Sequence, residues 1–286
     1  MELREFRAGD GTKLVYRIWR KTREDSGANI ALLHGLGIHG GRYARLATRL
    51  ADEGRTVYAL DLRGHGLSEG PRGRLGSKEI LLSDIDLFLQ LVTQDQENRE
   101  VSLIGESMGG LLALAATSRN RNPVNTLVLL APALRPHRRQ ILSREAFFDV
   151  AATSLRNRAV SLSLTGWRLE STAKLPFYVE ETRRDPLTLR IINWRYVCTL
   201  AKIGWNWWRY AESIACPVLT LIGTSDFVVN VESVVSLHRK LRNSSCELML
   251  LNGAYHALLW DTHEEQVVSS ISGWLGNGEC SRRQGA

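Results

Sequence analysis

The stretch 101-VSLIGESMGGLLALAA-116 decides how the rest of the chain is read. Its first residues are apolar-rich and end at Gly105, the pattern of a short buried strand. From Met108 onward it contains no Pro and runs into Leu and Ala, good helix formers. Between the two lies Gly105-x-Ser107-x-Gly109. A strand that becomes a helix over so few residues crowds the backbone two positions either side of the serine, so those positions need glycine. Ser107 is then pushed into a strained conformation with its hydroxyl held clear of the turn. The helix behind it aims N–H groups and the positive end of its dipole at any negative charge that develops there. A Gly-Ser turn without chemistry is the plainer reading. The strand and helix flanks argue against it.

A serine hydroxyl is a weak nucleophile at neutral pH and needs a base, with a carboxylate to orient that base. After this kind of turn the expected chain order is Ser, then Asp or Glu, then His. Downstream, 218-VLTLIGTSD-226 reads as a strand with Asp226 at its carboxyl end. The next strand pattern, 247-ELMLLNGAYH-256, places His256 in the loop that follows. Alone, Asp226 is readable as a turn or cap residue and His256 as a loop histidine. The order and the strand-end positions together make Ser107, Asp226 and His256 the candidate triad. The second oxyanion donor is expected from the loop 32-LLHGLGIHGGRY-43, where glycines permit close backbone approach. The backbone N–H groups of Leu36 and Met108 are the candidate pair. His34 and His39 read as structural, because His256 fills the base role. His263 and Asp261 read as residues of a helix start, and His137 and His238 as members of charged helical stretches. Glu106 reads as a solvated or hydrogen-bonded neighbour of the serine.

Outward from this centre, apolar runs at 13–19, 29–34, 56–61, 126–131, 218–223 and 247–251 alternate with helical patterns at 43–53, 77–96, 108–119, 231–241 and 263–275. That alternation predicts a mostly parallel sheet with helices on both faces. The first two runs have no helix between them and are expected to pair antiparallel. Residues 134–213 break the rhythm, with turn signals and no strand pattern. They are expected to form a helical cap or lid over a core made of 1–133 and 214–286. The polar tail 276–286 is expected to fray.

The chain of 286 residues is 44% hydrophobic and 23% charged, which excludes disorder and fibrous classes. Four cysteines without a C-x-x-C pair give no support for a zinc ribbon or a disulfide scaffold. No G-x-G-x-x-G follows a strand and no G-K-[ST] loop occurs, so no nucleotide cofactor or metal is expected. Neither an apolar leader nor an 18-residue apolar run is visible. The expectation is therefore a cytoplasmic protein, with peripheral membrane contact left open.

Lys+Arg number 37 and Asp+Glu 30, a formal charge of +7. Residues 134–213 hold 14 basic and 7 acidic side chains, so the whole excess sits in the expected cap. No nucleic-acid-binding motif accompanies it. The charge suits an anionic interface or headgroup, and a solvated surface equally. Five of the eight tryptophans lie in the same segment. Trp205, Trp207 and Trp208 are candidate substrate contacts, against the alternative of a cap helix packing its aromatic face onto the core.

The set HGLGIHGGRY, DLRGHGLSEG, GESMGG, RRDPL, GTSD and GAYH resembles the α/β-hydrolase superfamily. More narrowly it resembles the monoacylglycerol lipase and lysophospholipase branch, of serine aminopeptidase S33 type. The match runs in order from about Asp10 to Gly273. The resemblance implies an α/β-hydrolase fold, the triad and oxyanion positions named above, and hydrolysis of a monoacyl lipid ester without cofactor. Asp61, Arg63, Gly64 and His65 fall on a loop that it marks as structural. A thioesterase, C–C hydrolase or perhydrolase remains an alternative, as does a non-catalytic binding protein on the same scaffold. Epoxide hydrolase and haloalkane dehalogenase chemistry would want Asp where Ser107 stands.

Overall fold

The computed structural model describes residues 1–21, 28–95, 100–121, 124–137, 161–164, 167–242 and 245–283. Its main-sheet strands are β1 (Glu2–Arg7), β2 (Lys13–Trp19), β3 (Asn29–Leu33), β4 (Val57–Asp61), β5 (Val101–Glu106), β6 (Val124–Leu130), β9 (Val218–Gly223) and β10 (Cys246–Leu251). They pair in the order β1-β2-β4-β3-β5-β6-β9-β10. From β4 to β10 all pairings are parallel, and β1 and β2 are antiparallel additions at one edge. One expectation is corrected here. β2 does not pair with β3, because β4 lies between them. The antiparallel partner of β2 on its outer side is β1, whose residues are nearly all exposed. A strand with no buried face carries no alternation to read in its sequence.

Parity along the strands splits the core into two layers. Ala31, Leu33, Leu103, Leu127 and Leu129 face one side, where they share a cluster with Ile85 and Phe88 of α2 (Lys78–Gln94). Helix α3 (Met108–Thr117) is buried in the same layer. Ile30, Leu32, Ile104, Val128 and Leu130 face the other side, with Leu46 and Leu50 of α1 (Ala44–Asp52). Two faces covered by helices require strands that are apolar throughout, and β3, β4, β5 and β9 are wholly buried.

Between β6 and β9 the chain leaves the sheet. The described part holds β7 (Ser161–Ser163), α4 (Trp167–Glu170), α5 (Pro176–Arg184), β8 (Ile191–Asn193), α6 (Trp194–Trp205) and α7 (Trp207–Glu212). The expectation of no strand here is corrected, since β7 and β8 form a small antiparallel ribbon. Three residues each are too few to show a period. Residues 138–160 lie outside the described residues. The chain closes with α8 (Val231–Lys240) and α9 (Glu264–Arg283). The helix of α9 continues through most of the tail expected to fray.

β3 and β5 are neighbours although β4 intervenes in sequence. Their carboxyl ends therefore open onto the point where chain direction across the sheet reverses, the place where such sheets form a crevice. The loop carrying Leu36 and the turn carrying Ser107 meet there.

Candidate active site

Ser107 follows β5 with φ 52° and ψ −114°, a left-handed backbone that a non-glycine residue adopts only under constraint. The constraint is visible atom by atom. Ser107 N–H donates to Leu130 O at 2.8 Å, and its carbonyl accepts from Ala133 N–H at 2.9 Å. A Cβ on Gly109 would stand 2.1 Å from Leu33 O, and one on Gly105 2.5 Å from Gly109 O. Both glycines are therefore steric requirements of the turn.

The three candidate side chains come together as expected. Ser107 Oγ lies 2.9 Å from His256 Nε2, and His256 Nδ1 lies 2.7 Å from Asp226 Oδ2. Asp226 Oδ1 accepts from the N–H groups of Val228 and Val229 at 2.7 and 2.8 Å. With its carboxylate fixed on one edge, the other edge takes the Nδ1 proton and leaves Nε2 to accept from the serine. Burial works against a charged imidazole, but Asp226, and to a lesser degree Glu106, outweigh it and raise the pKa of His256.

His256 has far to reach, because β6 and β9 separate β5 from β10. Gly223 makes the approach feasible. A Cβ there would fall 2.2 Å from Ala254 O and 2.7 Å from Tyr255 O. Asp261 holds the far side of the loop by accepting from Tyr255 N–H at 2.9 Å and from His263 at 2.8 Å. Burial would raise its pKa, but these donors hold it below the ordinary value. The sequence marks Asp261 only as a helix-start residue, and its bracing of the histidine loop has no sequence signal. His263 sits just ahead of α9, as expected.

Among the described residues, the N–H groups of Leu36 and Met108 donate to no protein atom. Three groups beside Leu36 are engaged. Gly35 N–H donates to Tyr43 Oη at 3.1 Å, Gly35 O accepts from His34 Nδ1 at 2.8 Å, and Gly37 O accepts from Leu189 N–H at 2.7 Å. His34 Nε2 accepts from Leu62 N–H, and burial lowers its pKa to about 3, so it stays neutral. His65 is lowered to about 3 for the same reason and accepts from the Tyr196 hydroxyl at 2.9 Å. Asp61 accepts from Gly40 and Leu67 N–H groups and pairs with the buried Arg17, while Arg63 forks onto Asp84 at 2.8 and 2.9 Å. These contacts tie the loop after β4 to β2, α2 and α6. His39 donates from Nε2 to Asp185 Oδ2 at 2.8 Å, because its Nδ1 accepts from Gly41 N–H.

The candidate tryptophans separate. Trp207 is 6% exposed and belongs to the core layer of α3. Trp205 is 81% exposed and Trp208 37%, with the Arg209 guanidinium over the latter's ring. Among the described residues no three His, Cys, Asp or Glu side chains converge as metal ligands.

A family model described as serine aminopeptidase, S33, matches residues 24–263. The chain belongs to this family. It is 30% identical over 287 residues to the Escherichia coli K12 protein YnbC, covering 98% of this chain and 47% of that protein. The chain thus spans about half the length of that relative. It is 24% identical over 269 residues to the monoacylglycerol lipase of Mycolicibacterium smegmatis, covering 93% of each. Among solved structures, the monoacylglycerol lipase of Paleococcus ferrophilus superposes with a TM-score of 0.78 at 27% identity, over 93% of this chain and 99% of that one. Fold and family make the chain an α/β-hydrolase enzyme of the esterase and lipase kind.

Proposed function

We propose that the chain is a serine carboxylic-ester hydrolase of the monoacylglycerol lipase type, with Ser107, His256 and Asp226 as its triad. The observation that carries this is the continuous hydrogen-bonded chain from Ser107 through His256 to Asp226, beside two N–H groups with no protein acceptor among the described residues. Ser107 attacks the ester carbonyl while His256 takes its proton. Asp226 keeps the imidazole in the right tautomer and stabilises its charged form. Leu36 and Met108 N–H bind the tetrahedral oxyanion, each donor contributing ~3–4 kcal/mol to the transition state. The alcohol leaves with the proton from His256, and water then cleaves the acyl-serine. Relatives named for monoacylglycerol support a monoacyl lipid as the ester.

In this reading the described part of 134–213 forms a cap, tied to the oxyanion loop by His39–Asp185 and by Leu189–Gly37. Trp194 and Trp205 are exposed and three helical turns apart, so they share one face of α6 with exposed Lys202 nearby. In α7 the Arg209 guanidinium lies over the partly exposed Trp208 ring. Aromatic rings interleaved with cations suit peripheral contact with an anionic membrane from which the substrate enters. No described helix is long and apolar enough to cross a membrane.

A side-by-side panel tests the substrate class. Monoacylglycerols, lysophospholipids, short p-nitrophenyl esters, acyl-CoAs and an aminoacyl amide would be compared by kcat/KM. The monoacyl lipid esters are expected to lead. A preference for acyl-CoA, the amide or short soluble esters would overturn the lipid reading.

A further inference from the structure

Glu106 stands directly before the nucleophile, is 4% exposed, and has no role in the steps above. A carboxylate buried this deeply is costly unless it is used or well partnered. Its Oε2 accepts a short hydrogen bond from Tyr43 Oη. The same hydroxyl accepts from Gly35 N–H at 3.1 Å. The three groups form one polarised chain, from Gly35 N–H through Tyr43 O–H to the Glu106 carboxylate. Each bond in such a chain strengthens the next. The chain joins the residue before Ser107 to the residue before Leu36, which are the two strand ends that bear the nucleophile and the first oxyanion donor.

We propose that Glu106 is a positioning residue: through Tyr43 it sets the height of the Gly35–Leu36 turn over Ser107, and its charge backs His256 as a second carboxylate. The inference rests on the serine esterase reading and deepens it. Three features support it. The relay occupies Gly35 N–H, while the next amide along, Leu36 N–H, donates to no protein atom among the described residues. Tyr43 itself is held edge-on to Trp260 at 5.4 Å between ring centres, so its hydroxyl has a defined place. The charged and titratable groups around Glu106 come from several elements: Tyr43 and Arg42 from the turn after β3, Tyr178 from α5, and His256 from the loop after β10. Arg42 is in turn paired with Glu181 of α5 at 3.0 Å, which brings the segment between β6 and β9 into the same network.

The pH consequence has a definite sign. Burial raises the Glu106 pKa to about 7, against the opposing pull of Tyr43, His256 and Arg42. His256 is also raised, in part by Glu106. The base form of His256 is lost as pH falls through its raised value, so kcat/KM falls on the acid side. Removing the Glu106 charge removes one cause of that elevation, so the acid limb must move to lower pH.

Three variants separate the two roles. Glu106→Gln keeps an acceptor for Tyr43 and removes the charge. Its acid limb is expected to shift down by about half a pH unit or more. Glu106→Leu removes both, and its plateau kcat is expected to fall about tenfold with KM within about twofold, because the oxyanion contact exists only in the transition state. Glu106→Gln should rescue that kcat without restoring the pH profile. Tyr43→Phe cuts the relay at its middle and should reproduce the kcat loss even where Glu106→Leu fails to fold. Far-UV circular dichroism and labelling by a fluorophosphonate verify that each variant is folded. Superimposable wild-type and Glu106→Gln profiles, or a Tyr43→Phe kcat within twofold of wild type, would overturn the inference. A wild-type chain that hydrolyses no ester would instead overturn the reading beneath it.

Discussion

The turn at Ser107 and the segment between β6 and β9 are held in place by different means. At the turn, backbone meets backbone. Gly109 lies where any Cβ would strike Leu33 O, and the serine's own N–H and C=O are both bonded to the end of β6 and the residues just after it. The described part of the inserted segment is held mostly by side chains: Leu189, Ile192, Tyr196, Ile203, Trp207 and Ala211 join the core layer of α3, and Asp185 to His39, Glu181 to Arg42 and Arg72 to Leu187 O add polar ties. Backbone sterics admit almost no substitution, whereas a mooring made of side chains changes one residue at a time. The candidate nucleophile therefore sits where backbone contacts leave the least freedom.

That contrast is breakable. The largest effect is expected from Ser107→Ala, which should abolish covalent labelling by a fluorophosphonate and lower kcat by about 10⁴-fold or more. Labelling that persists would move the nucleophile out of the turn. Gly109→Ala comes next. The clash with β3 should cost more than ~3 kcal/mol and appear as a large loss of melting temperature or of folded protein. A variant that melts like the wild type would show the turn to be far softer than its contacts imply. Asp185→Ala leaves the His39 Nε2 proton without its acceptor, at a cost of about 1–3 kcal/mol. It should raise KM several-fold and leave kcat within about threefold. A kcat loss as deep as that of Ser107→Ala would erase the distinction between the two regions. The smallest effect belongs to Trp205→Ala. Its ring is in solvent, so melting temperature and soluble-ester hydrolysis should stay the same. Activity on anionic vesicles should fall by about two- to fivefold, and the wild-type activity there should decline with added salt. Vesicle activity that ignores both salt and the substitution would remove the membrane role from this face.

The candidate triad was readable because each of its signals is local. A glycine two residues from a serine, a strand that ends in Asp226 and a loop that ends in His256 are properties of short windows. What supports the triad was not readable. Tyr43 and Glu106 are 63 positions apart, and no window contains both. Asp261 looks like any helix-start aspartate until Tyr255 N–H is seen bonded to it. Gly223 reads as the end of a strand, and only the returning loop shows why it carries no side chain. The tryptophans were hard to place for the opposite reason. Tryptophan content marks large apolar area and says nothing about whether that area meets a ligand or the core.

By itself the sequence determined the strand–helix rhythm, the strained turn and the order Ser, Asp, His, because periodicity and steric demand act between near neighbours. Only the tertiary structure decided that β4 separates β2 from β3, that Trp207 is core and Trp205 surface, and that a buried Glu106 is joined through Tyr43 to the oxyanion loop. Those facts depend on which distant segments come to share a neighbourhood, and that is settled by packing the whole chain at once.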